Sequence, residues 1–216
     1  MAKAPLPGLA KTRLHPLLGP EGCARLQAAL SRHTLATALA TGRRVVLAFD
    51  PPDAHSEISR LIDGLGALKA VPQRDGHLGE RMTTAAADAL PDGGPLVVIG
   101  TDAPALTAGL LDQAFAALET APASVIGPAL DGGYYLLGVR WPAPDVFAID
   151  PALWGGEHVA ATTMARLRRL PGCVTQLPTL RDLDTPEDAT ALIRDPALPP
   201  EIAHALVPSR TQAAGP

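Results

Sequence analysis

Cysteine, aromatic rings and long apolar runs are all scarce in this chain, and each scarcity closes a class of function. Only Cys23 and Cys173 occur in 216 residues, far apart and outside any CxxC or Cys/His spacing, so neither a disulfide framework nor a zinc site is expected. Two free thiols suit a reducing cytosol. Aromatics at 3% leave few rings on which bases can stack, and a formal net charge of −4 gives no general footprint for nucleic acid. No apolar run approaches the roughly 20 residues that span a bilayer, and the N-terminus has no signal-peptide segment. The expectation is a soluble, cytoplasmic protein with neither a nucleic-acid nor a membrane partner.

What is present is a sizeable core and many short loops. Hydrophobic residues make up 47% and charged residues 19%, with 23 prolines and 20 glycines, a balance that excludes disorder and suits a loop-rich fold. We expect one domain over residues 1–195 and a partly flexible tail over 196–216. Residues 20–41 are predicted helical, with Leu26/Leu30 and Leu35/Leu39 at i, i+4 spacing and Gly42 as the stop. The apolar runs 45–49 and 96–100 are the type that forms strands buried on both faces. Shorter strands are expected at 68–71, 124–127, 134–139 and 174–177. Helices are expected at 56–65, 78–90, 107–119 and 157–170, and another opens at Thr185, which has capping-box spacing to Asp188 and Pro186 at its first position. A small helix is expected in the tail. Alternating apolar strands and helices define an α/β sandwich around a mostly parallel sheet.

Four clusters sit at predicted strand ends, where open α/β sheets bind ligands. The first, residues 3–14, sets Lys3, Lys11 and Arg13 around Pro5, Pro7 and Gly8. Glycine admits a close anion, proline stiffens the loop and the cations supply charge near a helix N-terminus, which describes a phosphate grip. The same composition alone also describes a frayed tail. The second cluster, residues 73–82, offers Gln73 to a nucleobase edge and Gly76 and Gly79 to flat backbone contact, or is an ordinary turn. In the third, residues 100–106, Asp102 follows a strong apolar strand and either ligates a divalent cation or turns the chain before Pro104. The fourth holds Asp131, Gly132, Gly133 and Tyr134. Asp182 and Asp184 point alternate side chains one way if their segment is extended. One or both could complete a metal site with Asp102, or cap a helix.

Taken in register, residues 2–14, 78–82, 100–106, 127–135, Trp154-Gly155-Gly156 with Thr163, and 182–188 resemble the rSAM/selenodomain-associated transferase 1 family. This group lies within the GT-A, nucleotide-diphospho-sugar transferase superfamily, and the resemblance covers residues 1–193. It implies a Rossmann-like α/β/α sandwich of GT-A type, with the nucleotide at the C-terminal edge of the strands. It also implies that Lys3, Gly8, Lys11 and Arg13 form the phosphate loop and that Gln73 and Gly76, with Gly79 beside them, line the base side. Asp102 and Asp184 are implied as ligands of Mg²⁺ or Mn²⁺, and Asp131, Gly132, Gly133 and Tyr134 as the acceptor side. Lys3, Lys11, Arg13 and Asp102 would carry catalysis.

The implied activity is transfer from a nucleotide or nucleotide-sugar donor to a small acceptor. Three cations in the opening loop and a single acid after the central strand favour nucleotidyl transfer to a phosphorylated or carboxylate acceptor. The family's customary label is glycosyltransferase, which keeps glycosyl transfer open, and a nucleotide-binding module without turnover is a third reading. One departure stands out. Family members carry an apolar strand directly ahead of the opening loop, whereas only Met1 and Ala2 precede Lys3 here. The expectation is a truncated first strand, a gap flanked by unpaired backbone groups costing about 1–3 kcal/mol each when buried, and a natural start upstream of Met1.

Overall fold

The computed structural model describes residues 1–119 and 123–207. Among the described residues, seven strands and seven α-helices follow one another, mostly in alternation: β1 (Ala2–Lys3), α1 (His15–Leu39), β2 (Val46–Asp50), α2 (His55–Ile62), β3 (Lys69–Pro72), α3 (Leu78–Ala89), β4 (Gly94–Ile99), α4 (Ala108–Glu119), β5 (Ala123–Pro128), β6 (Tyr134–Trp141), α5 (Val159–Leu167), β7 (Cys173–Gln176), α6 (Pro186–Leu192) and α7 (Pro200–Ala205). Each predicted strand and helix is found within a few residues of its expected place. α1 departs from helical geometry at Gly19 (φ 66°), directly before Pro20, so the regular helix starts where the apolar periodicity starts. At α6 the Thr185 side chain accepts from the Asp188 amide, and the Asp188 carboxylate accepts from the Thr185 amide at 3.0 Å.

The strands form two sheets, β1-β2-β3 and β4-β6-β5-β7. All pairings in the first are parallel. In the second, β5 and β7 are parallel, but β6 runs antiparallel to both β4 and β5. The reason is local: β5 and β6 are joined by the turn at 129–133 rather than by a crossover helix, so the second strand must reverse. The result is a single α/β domain of GT-A-like, Rossmann type, with one parallel and one mixed sheet. Apolar clusters occupy the faces between the strands and α1, α3 and α4, and a further one packs α6 and α7 onto α1. α7 belongs to this packing, because Ile202 and Leu206 are buried in one cluster with Leu26 and Leu30 of α1. The expected tail beyond Val207 lies outside the described residues.

The first strand is short. β1 has two residues, pairing Ala2 with Phe49 and Lys3 with Asp50. The Met1 ammonium donates to the Ile99 carbonyl of β4 at 3.0 Å, so the tip of β1 links the two sheets. Past that tip a cavity of about 490 Å³ opens between β2 and β4, walled by Val45, Val46, Leu96 and Val98, with Ala86 of α3 and Phe115 of α4. β4 therefore differs from the fully buried strand its apolar run predicts. Leu96 to Ile99 are all only partly buried, since no neighbour covers the edge that faces the gap.

Candidate functional site

Three loops converge beyond the C-terminal ends of β1 and β4. The opening loop turns at Gly8 (φ 83°) and again at Lys11 (φ 52°), the one non-glycine residue with positive φ among the described residues. A lysine in this left-handed region costs of order 1 kcal/mol or more and persists only where its surroundings fix it. Here two carboxylates do so. Lys11 Nζ donates to Asp102 Oδ1 at 2.5 Å and to Asp184 Oδ1 at 2.8 Å, and its side chain is only 3% exposed. Burial pulls the ammonium's pKa down, but the charges and hydrogen bonds of Asp102 and Asp184 outweigh that and leave it raised.

The other two loops are fixed by backbone and buried polar contacts. Gln27 of α1 donates to Thr101 Oγ1 at 3.2 Å, holding the loop that carries Asp102. The Leu183 amide donates to the Asp102 carbonyl at 2.8 Å, and the Leu130 amide to the Leu180 carbonyl at 2.9 Å, so the segment bearing Asp182 and Asp184 is laced between its neighbours. Asp182 also faces this space. Its Oδ1 is buried without a hydrogen-bond partner among the described residues, and burial, then Asp102, Asp131 and Asp184, push its carboxyl up to about 7.

A cavity of about 500 Å³ spreads from this cluster, and Lys3, Lys11, Arg13, Gln73, Asp102, Asp131, Gly133, Tyr134 and Asp184 of the sequence-predicted residues line it. Lys3 and Arg13 are exposed on its wall and form no ion pair among the described residues. Gln73 is placed there differently from what a base-reading role supposes. Its amide nitrogen donates to the Ala48 carbonyl at 2.9 Å and the Ala2 carbonyl at 3.4 Å, while its oxygen accepts from Arg81 at 3.1 Å. The buried amide therefore pins β1 against β2. Arg81, which sequence reasoning assigned no role, spans Gln73 and Asp50 and presents its guanidinium to the cavity.

Four predicted glycines lie outside the lining. Gly8 is open to solvent, with room for a Cβ. A Cβ at Gly76 would meet the Glu80 carboxylate, and at Gly79 it would lie 2.2 Å from the Phe147 carbonyl oxygen, so Gly79 is required by packing under α3. Gly132 combines both demands, with φ +90° and a Cβ position 2.1 Å from the Glu157 carbonyl oxygen. Its own carbonyl accepts from the Ala160 amide at 2.8 Å. Gly132→Ala is expected to lower stability by about 3 kcal/mol through strain and overpacking, read as a thermal midpoint lower by roughly 6–12 °C.

On the far wall, Asp131 closes a tight turn by accepting from the Gly133 amide at 2.8 Å. Tyr134 meets Trp154 edge to face, ring centroids 6.5 Å apart, and burial holds its phenol well above the usual tyrosine range. Trp154 Nε1 is buried without a hydrogen-bond partner among the described residues, and Trp154 lines the cavity. Among the described residues no group of three or more His, Cys, Asp or Glu is arranged to cage a metal ion. Two carboxylate oxygens aimed at one point nevertheless match the modest demand of Mg²⁺ or Mn²⁺, which completes its shell with water and substrate phosphates.

This strand arrangement, with a charged cavity at the strand ends, defines a Rossmann-like α/β fold of GT-A type. The chain belongs to the family described as "Uncharacterized protein conserved in bacteria (DUF2064)", matched over residues 33–152. Among solved structures it is similar to a protein from Desulfovibrio desulfuricans G20 described as a candidate nucleotide-diphospho-sugar transferase. The two share 34% identity over 89% of this chain and 84% of that one, with a TM-score of 0.79. A cytidylyltransferase from Leptospira borgpetersenii serovar Hardjo-bovis (strain JB197) shares the fold, at 15% identity and a TM-score of 0.56 over 89% of this chain and 83% of that one. No curated protein matches the chain. Among the described residues no helix is long and apolar enough to cross a membrane.

Proposed function

We propose that this chain is a nucleotide-dependent group transferase whose phosphate site is the Lys3–Lys11–Arg13 loop. The observation that carries this reading is the convergence of Lys11, Asp102 and Asp184 in the lining of a cavity of about 500 Å³, with Lys3 and Arg13, which form no ion pair among the described residues, on its wall. A nucleoside triphosphate supplies the negative charge that those cations lack. In nucleotidyl transfer an acceptor oxygen attacks the α-phosphorus, the bond to the bridging oxygen breaks and pyrophosphate leaves with the electron pair. Lys3, Lys11 and Arg13 would stabilise the charge that grows on the departing phosphates. Asp102 and Asp184 would hold Mg²⁺ or Mn²⁺, which supplies Lewis-acid neutralisation of the same oxygens when bound. The acceptor lies against Asp131 and Tyr134, with Trp154 as a wall.

The second reading, glycosyl transfer with release of a nucleoside diphosphate, is favoured by the name of the 34%-identical relative. The single acid after β4, Asp102, favours the first. Incubation with each nucleoside triphosphate, and separately with sugar nucleotides, in the presence of Mg²⁺ and a small-molecule cell extract distinguishes them. Pyrophosphate is the expected product, and nucleoside diphosphate from a sugar nucleotide would replace the first reading by the second. Calorimetric nucleotide binding with neither product would leave a binding module and overturn the transferase reading.

A further inference from the structure

We propose that Lys11 keeps the divalent-cation position closed until phosphate arrives, its ammonium occupying the point on which Asp102 and Asp184 converge and leaving it for the donor's phosphates as the cation enters. This rests on the transferase reading above and adds to it an order of assembly. The geometry is specific: one nitrogen lies within 2.8 Å of a carboxylate oxygen from each of two loops, and nothing else contacts it as a donor or acceptor among the described residues.

Charge sets the order of binding. The two carboxylates are already half neutralised by a buried ammonium. A dication arriving alone must push that ammonium away from both of its partners, into a cavity where Asp131 and Asp182 stand beside Lys3, Arg13 and an Arg81 that already pairs with Asp50. A cation moved off its carboxylates and held beside a dication is costly even in a partly solvated site. Phosphate oxygens remove the conflict, because they give the displaced ammonium new acceptors and complete the cation's shell at once. Metal and phosphate therefore bind as a coupled pair. The means of movement is present as well. Lys11 sits between open Gly8 and a turn, and its own side chain, with those of Thr12 and Arg13, fronts the cavity. A flexible four-carbon stem lets the ammonium swing without moving the carboxylates.

The test uses the full chain and Mn²⁺ alone, with free Mn²⁺ followed by electron paramagnetic resonance. Lys11→Gln and Lys11→Met are each expected to bind Mn²⁺ at least tenfold more tightly than the parent chain, because the carboxylates are released. In the parent chain, the Lys11 side-chain ammonium signal in ¹⁵N NMR is expected to stay unchanged with Mg²⁺ alone and to shift with Mg²⁺ plus pyrophosphate, a measurement that needs no variant to fold. Equal Mn²⁺ affinity in parent and variants, or displacement of the ammonium by Mg²⁺ alone, overturns the proposal. Neither readout involves turnover, so a chain that exchanges Lys11 for the cation but releases no product would lose the transferase reading and keep this one.

Discussion

The Asp102→Asn/Asp184→Asn double variant is expected to lose about 2–3 kcal/mol of stability and all measurable transfer, and adding Lys11→Met to it is expected to restore most of the stability and none of the activity. The physical cause is the ammonium left behind. Lys11 is 3% exposed, and removing one side of a buried ion pair leaves an uncompensated charge that typically costs 3–5 kcal/mol. The lower figure applies because Asp102 and Asp184 are 40% and 32% exposed, so water can follow the ammonium once the carboxylates are gone. Lys11→Met removes the charge itself and keeps the apolar stem. In the double variant the folded-state pKa of Lys11 falls below its unfolded value. The deficit is therefore full at neutral pH and shrinks as pH rises towards about 10, where the unfolded chain also loses the proton. Chemical denaturation at pH 7 and pH 10 measures both effects. An unchanged midpoint in the double variant would mean that the ammonium does not depend on these carboxylates.

Much of the fold is legible in the residues because the longer strands are short, concentrated apolar runs near Gly, Pro or Asp. β2 and β4 are examples. The direction of β6 is not legible in the same way. Asp131-Gly132-Gly133 is a turn signal, but whether a turn reverses a strand inside the sheet or leads to a crossover depends on packing elsewhere. The phosphate loop is legible as charge and not as geometry: nothing in the spacing of Lys11, Asp102 and Asp184 announces that one nitrogen joins all three loops. Gln73 shows the opposite limit. Its chemistry suits a base edge, yet burial commits its amide to the Ala2 and Ala48 carbonyls and leaves the cavity face to Arg81. Gly79 and Gly132 are glycines for the sake of the Phe147 and Glu157 backbones, contacts distant in sequence that no local pattern encodes.

Placing four extended apolar residues, such as Val-Val-Ile-Val, ahead of Met1 is expected to stabilise the chain by about 4 kcal/mol at pH 6, raising the thermal midpoint by roughly 8–16 °C. The cavity between β2 and β4 continues the line of β1, so added residues find the backbone edges of Val45–Ala48 on one side and Leu96–Ile99 on the other. Burying an apolar side chain there contributes about 1.5–3 kcal/mol, and ordering each residue costs about 1–2 kcal/mol, which leaves a small net gain per residue. The rest comes from the Met1 amine. Burial draws its pKa down from 8.0 to about 6, a shift equivalent to about 3 kcal/mol in full, of which about 2 kcal/mol is present at pH 6. In the parent chain that penalty is full below pH 6 and vanishes above pH 8, so this group makes stability rise with pH across that window. An extended chain has an amide at this position and no such rise. Asp182, with its carboxyl raised to about 7, makes stability fall between roughly pH 4 and 7, but equally in both chains, so the difference between them isolates the amine. The extension should thus help by about 2 kcal/mol more at pH 6 than at pH 8.5. A Gly-Ser extension of equal length removes the charge without filling the trough, and calorimetry on all three chains separates the two contributions. If the apolar extension gives the same midpoint as the Gly-Ser one, the trough between β2 and β4 does not accept a strand.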